Sequence, residues 1–381
     1  MAKDVSKRAL ALHKRLGGKL RIVPAAPIKN RADLSLVYTP GVGAVSTFIA
    51  KNPQKAREYT MKGRTIAVVS DGSAVLGLGN IGPLGALPVM EGKAALFKTF
   101  ANLDAVPIVL DTQDPDEIVE TVLRIAPGFG GINLEDIAAP QCFDIERRLI
   151  ELLDIPVMHD DQHGTAIVVL AGLINAMKVV KKDLNKSWIT VSGVGAAGVA
   201  IMRLIKLYAP GVNMVAVDSV GIIWSGRTDL NSTKRKLIED GTVFSQDGGD
   251  LEKALMESDV FIGVSKPGIL TAHMMKTMNR DPIIFAMSNP IPEIMPDEAK
   301  KGGAAVIATG RSDFPNQVNN SLVFPGVFRG ALDNRVRRIT EDMKLKAAKA
   351  LAALIAKPTA TKILPDMFDK RVAKAVAKVI R

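Results

Sequence analysis

The chain is poor in the residues that mark several protein classes. Its one cysteine, Cys142, can form no intrachain disulfide, so a reducing compartment is the natural setting. Aromatic residues make up only 4%, too few for the stacking platforms of nucleic-acid binders. Cysteine and histidine show no zinc-finger spacing. No uninterrupted apolar run approaches the roughly 20 residues of a membrane-spanning helix. Residues 1–20 alternate charge with leucine and alanine and carry no signal-peptide core or cleavage site, which reads as a mature cytoplasmic start. What is there is a 381-residue chain, 47% hydrophobic and 23% charged, long enough for two cores.

The formal net charge is +11. The excess is spread along the chain, with some concentration after Glu341 in KLKAAKALAALIAK and DKRVAKAVAKVIR. There Ala, Leu, Val and Ile recur at helical spacing, so these read as helices with a lysine-rich solvated face. A small-molecule substrate is expected, with neither nucleic acid nor membrane as partner.

Apolar runs at Thr65–Ser70, Val106–Leu110 and Gly131–Leu134 predict buried strands. Helical patterns lie between them at Lys93–Asn102 and Pro115–Arg124, and Pro140 suits the first position of a helix to about Leu153. From about Gly164 a second unit begins. A long helix over Thr165–Val180 precedes strands at Ser187–Ser192, Val212–Val217, Val260–Val264, Ile283–Met287 and Ala305–Ala308. The expected fold is α/β in two domains: residues 1–160, with the helices of 331–381 packing on them, and a doubly wound, Rossmann-type parallel sheet over 161–330.

Two stretches fit G-x-G-x-x-G: GLGNIG at 77–82 and GVGAAG at 193–198. The second follows a strand without a gap and opens a helix, so Gly193, Gly195, Ala196, Ala197 and Gly198 are the candidate pyrophosphate loop. Asp218 lies 20 residues past Gly198, where a carboxylate meets a ribose diol, and it favours NAD. Arg227, Lys234, Arg235 and Lys236 follow and could reach the 2′-phosphate of NADP. The first stretch is set apart from its strand and reads as a structural turn lining the cleft.

Glu135 and Asp136 in GINLEDIAAP, with Asp161 in VMHDDQHGTA, form a candidate oxygen-ligand set for Mg²⁺ or Mn²⁺. Neighbours on a strand face opposite ways, so Glu135 and Asp136 can share an ion only if the chain turns there. His159 and His163 do not make HExxH and are expected to be structural. Lys93, whose pKa would fall beside a divalent cation, is a candidate base, and Tyr38 a candidate acid.

YTPGVG at 38–43, VSDGSAVLGLGNIGPLGALPVMEGKAALFK at 69–98, INLEDIAAPQCF at 132–143, HDDQHGTA at 159–166 and ATGRSDFPNQVNNSLVFPGVFRGALD at 308–333 resemble the malic enzymes, in their short prokaryotic branch. The resemblance runs over nearly the whole chain. It implies oxidative decarboxylation of L-malate to pyruvate and CO₂ with NAD or NADP and a divalent metal, by a homodimer. It matches Tyr38 to the general acid, Lys93 to the general base, and Asp160 to an acid acting on that lysine. Glu135, Asp136 and Asp161 match the metal ligands, and Asn289 and Asn320 match amides that contact substrate or nicotinamide. The chain departs at Ala74, where larger members carry an arginine for a substrate carboxylate. Two other readings stay open: a metal-dependent 2-hydroxy-acid dehydrogenase without decarboxylation, and a non-catalytic NAD-binding module.

Overall fold

The computed structural model describes residues 2–75, 77–244 and 247–381. Helices α1 (Ala2–Leu16), α2 (Arg31–Val37), α3 (Gly41–Lys51) and α4 (Ala56–Tyr59) come first. A four-stranded parallel sheet follows, built from β1 (Thr65–Ser70), β2 (Asp104–Val109), β3 (Gly131–Leu134) and β4 (Val157–His159) in the order β2-β1-β3-β4. Its crossovers are α5 (Gly82–Ala101), α6 (Pro115–Ile125) and α7 (Gln141–Leu152). β1 alternates between two cores, as period two demands. Ile66 and Val68 enter the large central core, while Ala67 and Val69 pack with Ile118, Ile132 and Ile145 on the other face.

The chain passes from β4 straight into α8 (Asp160–Val180). The second sheet comprises β5 (Trp188–Ser192), β6 (Asn213–Val217), β7 (Val260–Gly263), β8 (Ile283–Ala286) and β9 (Val306–Thr309), all parallel, in the order β6-β5-β7-β8-β9. α9 (Ala196–Tyr208), α10 (Ser232–Glu239), α11 (Leu251–Leu255) and α12 (Pro296–Lys301) are interleaved with it. The chain closes with α13 (Phe324–Asp333), α14 (Glu341–Ala353) and α15 (Arg371–Val379).

α8 is long and apolar enough to cross a membrane, yet 72% of its apolar window is buried inside the fold. It is a core helix, apolar on every side because α9 and α14 flank it. α13 packs on α5, where Phe324 and Phe328 meet Phe97 edge-on with centroids 4.7 and 5.5 Å apart. Of the helices after Gly330, α14 packs on α8 and α9, and α15 on α13 and α14, while Phe368 between them meets Phe100 of α5 with centroids 5.9 Å apart. Among the described residues, none before Thr65 is buried.

One strand was not foreseen, because the three-residue β4 is too short to carry a period. Two local expectations shift. α5 starts at Gly82, not near Lys93, because the glycines and Pro88 that read as loop lie inside its first turns. Pro140 caps α7 from outside, after a cis peptide bond, and the helix begins at Gln141.

Candidate functional site

The parallel pairing of β3 with β4 builds the acid end of the site. Leu134 lies beside His159, so the residues leaving the two strands emerge side by side at the carboxyl edge of the sheet. Glu135 and Asp136 leave β3, while Asp160 and Asp161 open α8. Asp136 has φ +55°, a left-handed turn that aspartate tolerates better than most residues. That turn lets consecutive acids face one point: one oxygen from each of Glu135, Asp136 and Asp161 lies within 4.8 Å of the others. The backbone N–H of Asp136 donates to Asp161 Oδ2 at 2.8 Å.

Lys93 lies on the buried face of α5 with Met90, Ala94 and Phe97. Its Nζ is 2.6 Å from Asp160 Oδ2 and 2.7 Å from Glu135 Oε1, and rides 4.3 Å above the Phe324 ring. It is therefore no solvated lysine. Burial by itself would lower its pKa, but Asp160, Glu135 and Asp161 outweigh burial and raise it above the usual lysine value. The fall expected from the sequence is that of a lysine beside a divalent cation, whereas this rise is the effect of the carboxylates alone. Burial also pushes Asp160 up to about 6, against the pull of Lys93. Glu135 is driven well above its ordinary value by burial, reinforced by Asp161 and its neighbours and opposed by Lys93. Three carboxylates, those of Asp160, Glu135 and Asp161, therefore act on one ammonium, and with Asp136 this all-oxygen set fits a hard divalent cation.

Supporting residues were not found from the sequence. Asn133, a polar residue in the buried strand GINL, donates from Nδ2 to Glu135 Oε2 at 2.9 Å. A Cβ at Gly164 would stand 1.8 Å from Asp160 Oδ1, so glycine makes room for that carboxylate. Glu146 of α7 is buried and accepts from His159 N–H at 2.7 Å and from Gln162 Nε2 at 3.1 Å. His163 bridges it to Lys344 of α14, with contacts of 2.9 Å on each side. The only available signal was a polar residue at an apolar helical or strand position.

His159 is buried and its Nδ1 stands 4.0 Å from Asp161 Oδ2, too far for a hydrogen bond. Neither histidine belongs to the acidic cluster.

A cleft of about 500 Å³ joins Asp136 and Asp161 to Gly195, Ala196 and Ala197, and to Asn289 and Asn320. Gly195, at the N-terminus of α9, has nothing within 4 Å of a Cβ placed on it, which leaves open space for a ligand. Gly193 has φ +107° and a Cβ there would meet Val264 O at 2.6 Å; at Gly198 it would meet Gly193 O at 1.9 Å. Those two glycines are needed for the turn and for helix–strand packing. Gly77 of the other glycine stretch lies against the Asn289 carbonyl and lines the same cleft. Ala74 is there too, donating its N–H to Asp136 O at 2.9 Å.

A second cavity, of about 620 Å³, shares Gly195 and Ser265 with the cleft and extends past Gly193 to Asp218 and Lys234. Arg227 and Lys234 hold the Asp218 carboxyl well below its ordinary range, against the opposing effect of burial. Tyr38, the candidate acid, is not gathered here. It ends α2, is 66% exposed, and does not line the cleft.

Two parallel sheets, a glycine loop at a helix N-terminus and an acidic cluster across one cleft define a dinucleotide-binding α/β protein with a metal-type acid site. The pattern of "Malic enzyme, N-terminal domain" matches residues 17–150, and "Malic enzyme, NAD binding domain" matches residues 162–381. The bifunctional malic/malolactic enzyme of Bacillus subtilis (strain 168) is 53% identical, covering 99% of this chain and 92% of its own. The NADP-dependent malic enzyme of Halomonas elongata is 48% identical over 96% of this chain and 86% of its own. The crystal structure of the NAD-dependent malic enzyme of Thermotoga maritima superposes with a TM-score of 0.93, at 48% identity and 98% coverage of both chains. The chain belongs to the malic enzyme family.

Proposed function

We propose that this protein oxidatively decarboxylates L-malate to pyruvate and CO₂ with NAD⁺ or NADP⁺ and Mg²⁺ or Mn²⁺. The observation that carries this reading is the placement of the Glu135–Asp136–Asp161 cluster beside the Lys93–Asp160 pair, in one cleft with the α9 glycine loop. Glu135, Asp136 and Asp161 would hold the cation, and Gly193 to Gly198 with Asp218 the dinucleotide. Those two groups supply Lewis-acid polarisation of the C2 oxygen and a hydride acceptor.

The remaining work falls to the chain. Lys93 takes the C2 hydroxyl proton, and Asp160, 2.6 Å away, is placed to take the proton Lys93 must first release. Asn289 and Asn320 orient the substrate and nicotinamide from the cleft wall. Among the described residues that line the cleft wall there is no Arg, so these amides would take over part of the carboxylate recognition absent at Ala74. Tyr38 delivers the proton to C3 of the enol. In this reading residues 1–160, with the helices of 331–381, form the substrate and metal half, and residues 161–330 the dinucleotide half.

Tyr38 requires a further arrangement. Leu10, Ile22, Leu36 and Tyr38 are 74%, 99%, 75% and 66% exposed, on a segment without buried residues. Large apolar side chains left exposed along one segment point to an interface, so we propose a homodimer in which a second copy covers this segment. Sedimentation at the monomer mass would reject it. A cytoplasmic setting accords with a single buried cysteine.

The test is to mix the protein with L-malate, Mn²⁺ and either NAD⁺ or NADP⁺, following reduced cofactor, pyruvate and lactate. Metal-dependent pyruvate formation supports the reading. Reduced cofactor with oxaloacetate and no pyruvate favours a plain 2-hydroxy-acid dehydrogenase. Dinucleotide binding without turnover favours a binding module.

A further inference from the structure

Glu293 belongs neither to the acid cluster nor to the glycine loop, yet it is fully buried behind residues that line the cleft. Its Oε1 accepts from the N–H of Ser265 at 2.8 Å, and its Oε2 from the N–H of Ser288 at 3.0 Å. Among the described residues it forms no ion pair, and its partners are backbone N–H groups. Burial raises its pKa, and those N–H groups oppose the rise. A buried carboxylate without a cation is costly to desolvate, and two N–H bonds offset part of that.

The sheet explains why an acid is held there. β7 and β8 run parallel, with Gly263 beside Ala286, and the N–H of Met287 donates to Gly263 O at 3.0 Å. Beyond that bond the N–H groups of Ser265 and Ser288 have passed the end of the ladder, and Glu293 accepts both. Two acceptors are needed at once; a carboxylate offers two oxygens and a glutamine amide only one. A Cβ at Gly263 would stand 2.4 Å from Glu293 Cδ, so glycine makes room for the acid. The acid is itself anchored: its carbonyl accepts from the N–H of Leu270 at 3.0 Å, and that of Pro292 from Gly268 at 3.1 Å.

The residues it clamps face the ligand space. Ser265 lines both the cleft and the cavity of the glycine loop, and its Oγ lies 3.0 Å from that of Ser192, just before Gly193. Ser288 precedes Asn289, whose carbonyl is 2.1 Å from a Cβ placed on Gly77 of the first half. One carboxylate thus ties together the ends of β5, β7 and β8.

We propose that Glu293 is a positioning residue of the cleft: it fixes the ends of β7 and β8 so that Ser265 and Asn289 receive the nicotinamide half of the dinucleotide beside the substrate. This rests on the cleft being the place where malate and the dinucleotide meet.

The test compares the dinucleotide that the unaltered enzyme turns over with the fragment lacking nicotinamide: NAD⁺ with ADP-ribose, or NADP⁺ with 2′-phospho-ADP-ribose. Both are titrated calorimetrically into the full chain without malate. Glu293→Gln keeps the shape and removes one acceptor. It should weaken the dinucleotide about tenfold, the worth of one well-placed hydrogen bond, and leave the fragment unchanged. With malate and Mn²⁺, kcat should fall about 10²-fold, as a misplacement of about 1 Å implies. Gly263→Ala pushes the same carboxylate aside with its charge intact, so it should reproduce the pattern even where the Gln variant fails to fold. A loss shared equally by dinucleotide and fragment, or no loss in either, overturns the inference and leaves the reading of the cleft standing. An unaltered chain that turns over neither dinucleotide overturns both.

Discussion

At the end of β3, Glu135 is buried among Asp136, Asp160 and Asp161 with the Lys93 ammonium against it. Just past β6, Asp218 is met by Arg227, Lys234 and two backbone N–H groups. Both acids leave the carboxyl end of a parallel strand, yet their acidities move in opposite directions. Burial raises both. Like charges reinforce it at Glu135, whereas donors overcome it at Asp218. The first sheet therefore ends in a site short of positive charge, suited to a cation. The second ends in a site already compensated by its own donors.

The most severe way to break the acid end is to remove a ligand. Asp136→Ala should lower malate oxidation by roughly 10³-fold or more, the loss of several kcal/mol of Lewis-acid stabilisation, and abolish the response to Mn²⁺. Retained Mn²⁺-dependent turnover would reject the cluster as a metal site.

Lys93→Met removes the ammonium between two buried carboxylates. Turnover should fall about 10²- to 10⁴-fold, as for loss of a general base. Chemical denaturation should show a cost of about 3–5 kcal/mol, because Glu135 and Asp160 are left buried together without their cation. Unchanged stability would show that those acids are not ionised against Lys93.

Glu146 sharpens the comparison, since it is a buried acid that follows the Asp218 pattern. Burial would raise it, but His163, Lys344 and His159 outweigh burial and hold it at about 2. Its folded value lies below the roughly 4.3 of an unfolded glutamate, so its contribution is present above that pH and is lost as pH falls toward 2. Glu146→Gln should cost about 2–3 kcal/mol at pH 7 and progressively less below pH 4, read from urea unfolding. An equal loss at both pH values would assign the effect to shape and not charge.

The weakest perturbation is a surface pair. Arg147 on α7 contacts Asp144 and Glu151, with more than half of its side chain exposed. Arg147→Ala should change stability by less than about 0.5 kcal/mol. A larger shift in melting would mean that α7 is strained by more than its buried Glu146.

Much of this was legible before the structure. The strands of both sheets could be read because parallel strands covered on both faces are continuous apolar runs. The second glycine stretch could be chosen over the first because it joins strand to helix without a gap. Three features resisted. β4 has three residues and no measurable period. The start of α5 hid behind Gly and Pro that act as turn signals elsewhere. The Glu146–His163–Lys344 network spans α7, α8 and α14, and nothing in the local pattern joins residues so far apart.

The sequence by itself determined the order of the elements, the apolar faces and the chemical types available, since periodicity, caps and turn residues act over a few neighbours. Only the tertiary structure decided which acids meet. The pairing of β3 with β4 and the left-handed turn at Asp136 bring four carboxylates to one edge of the sheet, and Asp160, Glu135 and Asp161 raise the pKa of Lys93 against the opposing effect of burial. Likewise the folding of α10 against the end of β6 delivered Lys234 to Asp218. Ionisation depends on distance and desolvation, and both are fixed only when segments remote in the chain are packed together.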